Sequence, residues 1–159
     1  VERLSLVGFD GRAGDTLKNI VGEREVLNFL GTGVPQIRRQ GWQVDLEGSV
    51  APYEREALRV STTVQVEEDQ SGDYFEVSYA YDIGTGSVSE RDIQRALENG
   101  DSFIKRNGRT ILLDGDAILQ AREVFKDCAE GAGSKLVSFK MKGIYYSYVE
   151  ASIEMMDGV

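Results

Sequence analysis

The sequence predicts an α+β fold: an antiparallel β-sheet with helices packed on one face and a small second β-hairpin. Three observations carry this expectation. Two runs that alternate apolar and polar residues, Leu58–Glu67 and Asp73–Ile83, are separated only by the polar stretch EDQSG. Asn107-Gly108 divides two shorter apolar runs, the strongest local signal for a tight hairpin because a type I′ turn needs positive φ at both central residues. Between and after these pairs, apolar residues recur at helical rather than strand spacing.

Taken in order, residues 1–22 read as an N-terminal strand (Val1–Phe9) and a glycine-bearing loop. EREVLNFL (Glu23–Leu30) places Val26, Leu27, Phe29 and Leu30 on one helical stripe, with acids in the first turn where the helix dipole favours them. Gly31 and Gly33 are expected to stop this helix, and Pro35 to open a short second one through Gln40. Trp42–Leu46 alternates and is expected to be the first strand of the sheet, with Trp42 anchoring it against the Glu23–Leu30 helix as a buried contributor to the core.

Leu58–Glu67 and Asp73–Ile83 then form a hairpin. The second run sets Phe75, Val77, Tyr79, Tyr81 and Ile83 on one face, which reads as core rather than as a ligand platform because the helices that follow carry stripes able to cover it. Tyrosine hydroxyls are expected to reach partners at the sheet edges. Ser89 is a candidate N-cap with Asp92 three residues on and Val88 able to staple onto Ile93, and Gly100 is a left-handed stop for the helix Glu90–Asn99. Ser102–Asp114 is the second hairpin, Asp116–Ala129 a helix, Lys135–Met141 a strand, and Gly143–Met156 a last amphipathic helix.

Length bounds the organisation. The 159 residues suit one domain spanning 1–159, and the start at Val1 rather than Met suits a segment of a longer protein. A single cysteine, Cys128, rules out an intramolecular disulfide and points to a reducing, cytoplasmic setting; on its apolar stripe it reads as a structural thiol. No run approaches the ~20 apolar residues of a membrane span. A net charge of −9 disfavours phosphate backbones as partners of the domain as a whole. The absence of histidine removes Ser-His and Cys-His mechanisms together with the commonest metal ligand.

Candidate chemistry is sparse. Gly31-Thr-Gly33 and Gly84-Thr-Gly86 lack the third glycine of a dinucleotide loop, and EGAGSKL (Glu130–Leu136) lacks the spacing and the strand-to-helix order of a phosphate-binding loop. Glu67, Glu68 and Asp69, and Asp114 with Asp116, read as turn and helix-start residues, with a weak hard-cation site as the alternative. The expectation is therefore no catalytic, no cofactor-binding and no metal-binding residue. Lys105, Arg106 and Arg109 surround the Asn107-Gly108 turn and form the one compact basic cluster. It reads first as a solvated turn, and in the alternative as a hairpin tip that touches a nucleic-acid backbone.

Four stretches together resemble a known family: LNFLGTGVPQIRRQGWQVDL (Leu27–Leu46), GDYFEVSYAYDIGTGSVSERDIQRALENGDSFIKRNGRTILLD (Gly72–Asp114), DAILQAREVF after it, and KLVSFKM before the last helix. Their order and spacing are similar to the accessory, helicase-associated region N-terminal to the ATPase lobes of bacterial Swi/Snf-type helicases. Val34 stands where that pattern usually has Leu, and Tyr74 where it has Trp. The resemblance implies a non-catalytic accessory domain of a DNA-dependent ATPase that packs against or regulates the motor. Its partners would be the ATPase lobes of the same polypeptide, with ATP and Mg held by those lobes and DNA met only through the parent protein. Two alternatives stand beside it: a free-standing protein- or ligand-binding module, and a hydrolase using carboxylates and a divalent metal.

Overall fold

The computed structural model describes residues 19–68, 74–128 and 138–142. Along them run α1 (Glu23–Asn28), a one-turn π-helix (Phe29–Gly33), α2 (Val34–Arg39), a 3-10 turn (Gly48–Val50), α3 (Ala51–Glu56), β1 (Leu58–Arg59), β2 (Ser61–Glu68), β3 (Tyr74–Asp82), β4 (Ser87–Val88), α4 (Glu90–Glu98), β5 (Phe103–Arg106), β6 (Arg109–Leu112), α5 (Gly115–Cys128) and β7 (Ser138–Lys142). The fold class is α+β, with strands paired mostly antiparallel. The expected strand Val1–Phe9 and helix Gly143–Met156 lie outside the described residues, as does most of the EDQSG turn.

The chain divides into two compact units. The first comprises Val1–Val60 and Arg91–Asp116; the second comprises Ser61–Glu90 and Ala117–Val159. In the first unit β6 is the middle strand of three, antiparallel to β5 and parallel to β1, with Leu58 opposite Ile111 and Arg59 opposite Leu112. The β5–β6 hairpin closes as expected on Asn107 (φ 51°) and Gly108 (φ 74°). In the second unit β3 is central. It pairs antiparallel with β2 from Ser61↔Asp82 to Glu68↔Phe75. Its other edge is shared by β7, against Tyr74–Ser78, and β4, against Tyr81–Asp82.

Four expectations are corrected. Gly31 and Gly33 do not stop the first helix. Neither takes a positive φ, Gly33 being helical at φ −64° and ψ −47°, and α1 runs into α2 through the π-turn. Trp42–Leu46 is not a strand of the sheet. It is a connection whose Val44 and Leu46 pack against the core formed by Leu27, Leu30, Val34 and Leu112. Trp42 itself remains 46% exposed and is not part of that core. Finally, the single run Leu58–Glu67 serves two sheets. The Val60 amide makes a last bond to the Leu112 carbonyl (3.1 Å), and pairing with β3 begins at Ser61. The segment before it, Ala51–Glu56, is a helix that no strong periodicity marks, with Pro52 in its first turn.

Leu27, Leu30 and Val34 are almost wholly buried, each side chain worth about 1.5–3 kcal/mol of transfer free energy. Tyr79 and Tyr81 are buried too, so the aromatic face of β3 is core where its side chains are described. The α4 terminus follows the sequence closely. Gly100, at φ 72°, donates to the Leu97 carbonyl (3.0 Å) and Asp101 to the Ala96 carbonyl (2.9 Å), the paired bonds of a Schellman stop.

Candidate functional site

The polar side chains of the first unit converge on the π-turn. A π-turn widens the helix and usually persists only where tertiary contacts hold it. Here Gly31 lies so close to the segment leading into β5 that a Cβ on it would sit 2.2 Å from the Ser102 carbonyl oxygen and 2.8 Å from that of Leu113. Only glycine permits this approach. The next residue, Thr32, uses its hydroxyl three ways: it lies 2.8 Å from Ser102 Oγ, donates to the Leu113 carbonyl (3.3 Å) and accepts from the Gly115 amide (3.0 Å). One turn earlier Asn28 accepts from the Ser102 amide (2.7 Å) and donates to the Gly100 carbonyl (3.1 Å). The Leu30 carbonyl, inside the π-turn, accepts from Arg59 Nη2 at 3.1 Å.

Beside this clamp runs an open groove of roughly 480 Å³, lined by Glu25, Asn28, Phe29, Thr32, Gln36 and Ser102 among others. Asn28, Thr32 and Ser102 are already committed to partners, which leaves Asn19, Glu25 and Gln36 as its uncommitted polar side chains. The clamp is structural chemistry: amides and hydroxyls holding a helix to a hairpin.

The second polar cluster lies within the second unit. Tyr79 and Tyr81 meet edge-on, ring centres 5.6 Å apart at 77°. Arg122 Nε donates to the Tyr81 hydroxyl at 3.3 Å, and its Nη2 makes a short bond to Glu90 Oε1. Burial pushes Tyr81 well above the usual tyrosine range and Tyr79 upward as well. For Arg122 burial acts downward, but the bond to Tyr81 and the neighbouring negative charges outweigh it and raise its pKa. The hydroxyl of Tyr81 is thus satisfied by a partly buried arginine from a helix, not at a sheet edge. Glu90 Oε2 is the one buried side-chain oxygen among the described residues without a hydrogen-bond partner.

The sequence-predicted basic residues stand where the hairpin signal puts them. Arg106 and Arg109 face each other across the Asn107-Gly108 turn and both are exposed. Lys105 reaches back to α1 and pairs with Glu23 Oε1 at 2.7 Å, so its charge is partly neutralised. Asp114 and Asp116, candidates for a cation site, both engage Arg39: Asp114 accepts from its Nη1 and Nη2, and Asp116 Oδ2 lies 3.7 Å from Nη2. Among the described residues no group of three or more His, Cys, Asp or Glu side chains is placed to hold a metal ion. Sequence reasoning missed the Thr32–Asn28 clamp. Its only sequence trace is a Gly-Thr-Gly inside a helical stripe, which also fits a helix stop.

The described residues define an α+β protein whose first unit binds helix to hairpin through a glycine-threonine clamp and carries arginines on its surface. The sequence model of a family described as SNF2 Helicase protein matches residues 20–139, and the chain belongs to that family. No curated protein and no solved structure matches it. No helix among the described residues is long and apolar enough to cross a membrane.

Proposed function

We propose that this chain is a non-catalytic accessory domain of a bacterial, cytoplasmic Swi/Snf-type DNA-dependent ATPase. In this reading it packs against or regulates the ATPase lobes of the same polypeptide, and it meets DNA through the parent protein. The family match across 20–139 carries the proposal. Two features agree with it. The glycine loops of the sequence lack the spacing that cradles phosphates, so ATP and Mg belong to the lobes. The Thr32, Asn28 and Ser102 side chains are spent on holding helix to hairpin rather than on facing a substrate.

The hairpin tip Lys105, Arg106 and Arg109 is the candidate DNA contact in this scheme. The test is DNA-stimulated ATP hydrolysis by the intact protein, wild type against a variant carrying Arg106→Ala and Arg109→Ala. A change in DNA-stimulated turnover with unchanged DNA-independent turnover supports the regulatory role. Intact protein that neither carries a Walker A motif nor hydrolyses ATP would falsify it.

A second reading, a module that binds another protein through its surface, draws on Trp42 and Tyr53, which are 46% and 50% exposed in the first unit. Large aromatics left in water are common anchors of protein interfaces.

A further inference from the structure

The net charge of −9 is unevenly divided. The first unit carries thirteen Lys and Arg against fourteen Asp and Glu, whereas the second carries five against thirteen, so their balances are −1 and −8. The repulsion expected from the whole chain therefore comes almost entirely from the second unit. The first is close to neutral and holds most of the arginines.

Several of those arginines are occupied. Arg38 pairs with Glu54, Arg39 with Asp114, and Arg59 with the Leu30 carbonyl and Glu54. Arg91 and Arg95 are not. They lie one turn apart on α4, are exposed, and their guanidiniums have neither a hydrogen bond nor an ion pair among the described residues. Two acids of α4, Asp92 and Glu98, flank Arg95 at three residues on either side without pairing with it. Glu98 accepts from Gln94 at 2.8 Å, and Asp92 is only half exposed. The next position on the ridge is Asn99, and there a cation arrives from elsewhere. Arg24 Nη2 donates to the Asn99 carbonyl and its Nε to Asp101 Oδ1, both at 2.6 Å, while its side chain stays 56% exposed. Arg91 and Arg95 thus stand about 6 Å apart along one helix face, and Arg24, already paired with Asp101, lies at the end of that helix. The Arg91–Arg95 spacing is comparable with the separation of successive phosphates measured along a DNA strand, so the two guanidiniums meet neighbouring phosphates when the helix lies along the backbone. Unpaired guanidiniums also bind phosphates without first breaking an internal ion pair.

We propose that the Arg91–Arg95 face of α4 is a sequence-independent contact for the phosphate backbone of duplex DNA, distinct from the Lys105–Arg109 hairpin tip. It rests on the reading that the chain serves a DNA-dependent motor. Both arginines are exposed on a helix and alanine is a good helix former, so replacing them leaves the fold intact.

The test measures binding of the intact protein to a fluorescein-labelled DNA duplex by anisotropy over a series of salt concentrations. Wild type is compared with the double variant Arg91→Ala/Arg95→Ala and with Arg55→Ala, an exposed and unpaired arginine on α3. The expected result is a slope of log K against log salt shallower by about 1.8 in the double variant, the loss of two phosphate contacts at ~0.9 each. Weakening should be equal for unrelated DNA sequences, and Arg55→Ala should match wild type. An unchanged slope in the double variant overturns the proposal. So does an equal effect per charge in Arg55→Ala, which would mark general electrostatics. A change in self-association by light scattering with DNA binding untouched overturns it too, since the ridge would then face the acidic second unit of another copy. DNA-stimulated hydrolysis by wild type, measured in parallel, tests the motor reading alone: its absence sinks that reading, while the salt slope still decides the ridge.

Discussion

Replacing Gly31 by alanine pits two effects of opposite sign. By helix propensity the change favours folding, because alanine in a helix is better than glycine by about 1 kcal/mol. The structure reverses the sign. The new methyl would lie 2.2 Å from the Ser102 carbonyl oxygen, 2.7 Å from Ser102 Cβ and 2.8 Å from the Leu113 carbonyl oxygen. Two of the three are backbone atoms that no rotamer change can remove. Relief requires prising the helix from the strand segments, at a typical overpacking cost of 1–3 kcal/mol. The same movement strains the Ser102 N–H bond to Asn28 Oδ1, now 2.7 Å, a bond worth roughly 0.5–1.5 kcal/mol. Subtracting the propensity gain leaves a net destabilisation of about 2 kcal/mol. For a chain of this length that lowers Tm by roughly 4–8 °C. Urea unfolding followed by circular dichroism should show a lower midpoint with an unchanged slope. Gly48→Ala is the control. Gly48 has φ +65° but open space around it, so it suffers only the ~1 kcal/mol backbone cost without a clash. If Gly31→Ala unfolds at the wild-type midpoint or above it, the close approach of helix and hairpin is wrong.

Three further predictions follow the same logic. Thr32→Val keeps the shape but strips the hydroxyl shared by Ser102, Leu113 and Gly115, and should cost about 1–3 kcal/mol in denaturant midpoint, with Thr32→Ser recovering most of it. Trp42→Ala should cost roughly half the ~3–5 kcal/mol of a core tryptophan, because Trp42 is half exposed; a core-sized loss would restore it as an anchor. Tyr81 should remain un-ionised well above pH ~10, where free tyrosine titrates. Its folded pKa is raised, so its contribution to stability is complete below pH ~10 and is lost as pH climbs above it, when the unfolded chain ionises first. Tyrosinate absorbance of the folded protein should show at least one late-titrating residue, and a single transition near the ordinary value would contradict the buried Tyr81–Arg122 contact.

The residues differ in how much they announced. Asn107-Gly108 foretold its turn because two successive positive φ angles tolerate few other residues, and Gly100 foretold the α4 stop for the same steric reason. The aromatic row of β3 announced a buried face, since alternation and large apolar side chains have one common cause. The Gly31-Thr32-Gly33 stretch misled. Glycine marks a helix end when it turns left-handed, but it also marks a place where two backbones nearly touch, and local sequence does not separate the two. Trp42 misled because an alternating triplet is too short to show whether its partners exist. The basic tip was legible as a cluster, whereas the Arg91–Arg95 face was not. Arginines four apart on a helix gain meaning only once every neighbouring acid is seen to be engaged elsewhere.

What the sequence determined by itself was local: the α+β class, the I′ hairpin, the helix stop at Gly100, the alternating strands and the kinship to helicase-associated proteins. These rest on backbone sterics and on periodicity, which act over a few residues. Tertiary structure alone decided that Leu58–Glu67 divides between two sheets, that a π-turn carries the first helix past its glycines, and that eight of the nine net negative charges gather in one unit. Each of these depends on which distant residue comes within bonding reach. Thr32 meets Ser102, and Val60 meets Leu112, only after the chain has closed loops of dozens of residues, and no spacing within either segment encodes its partner.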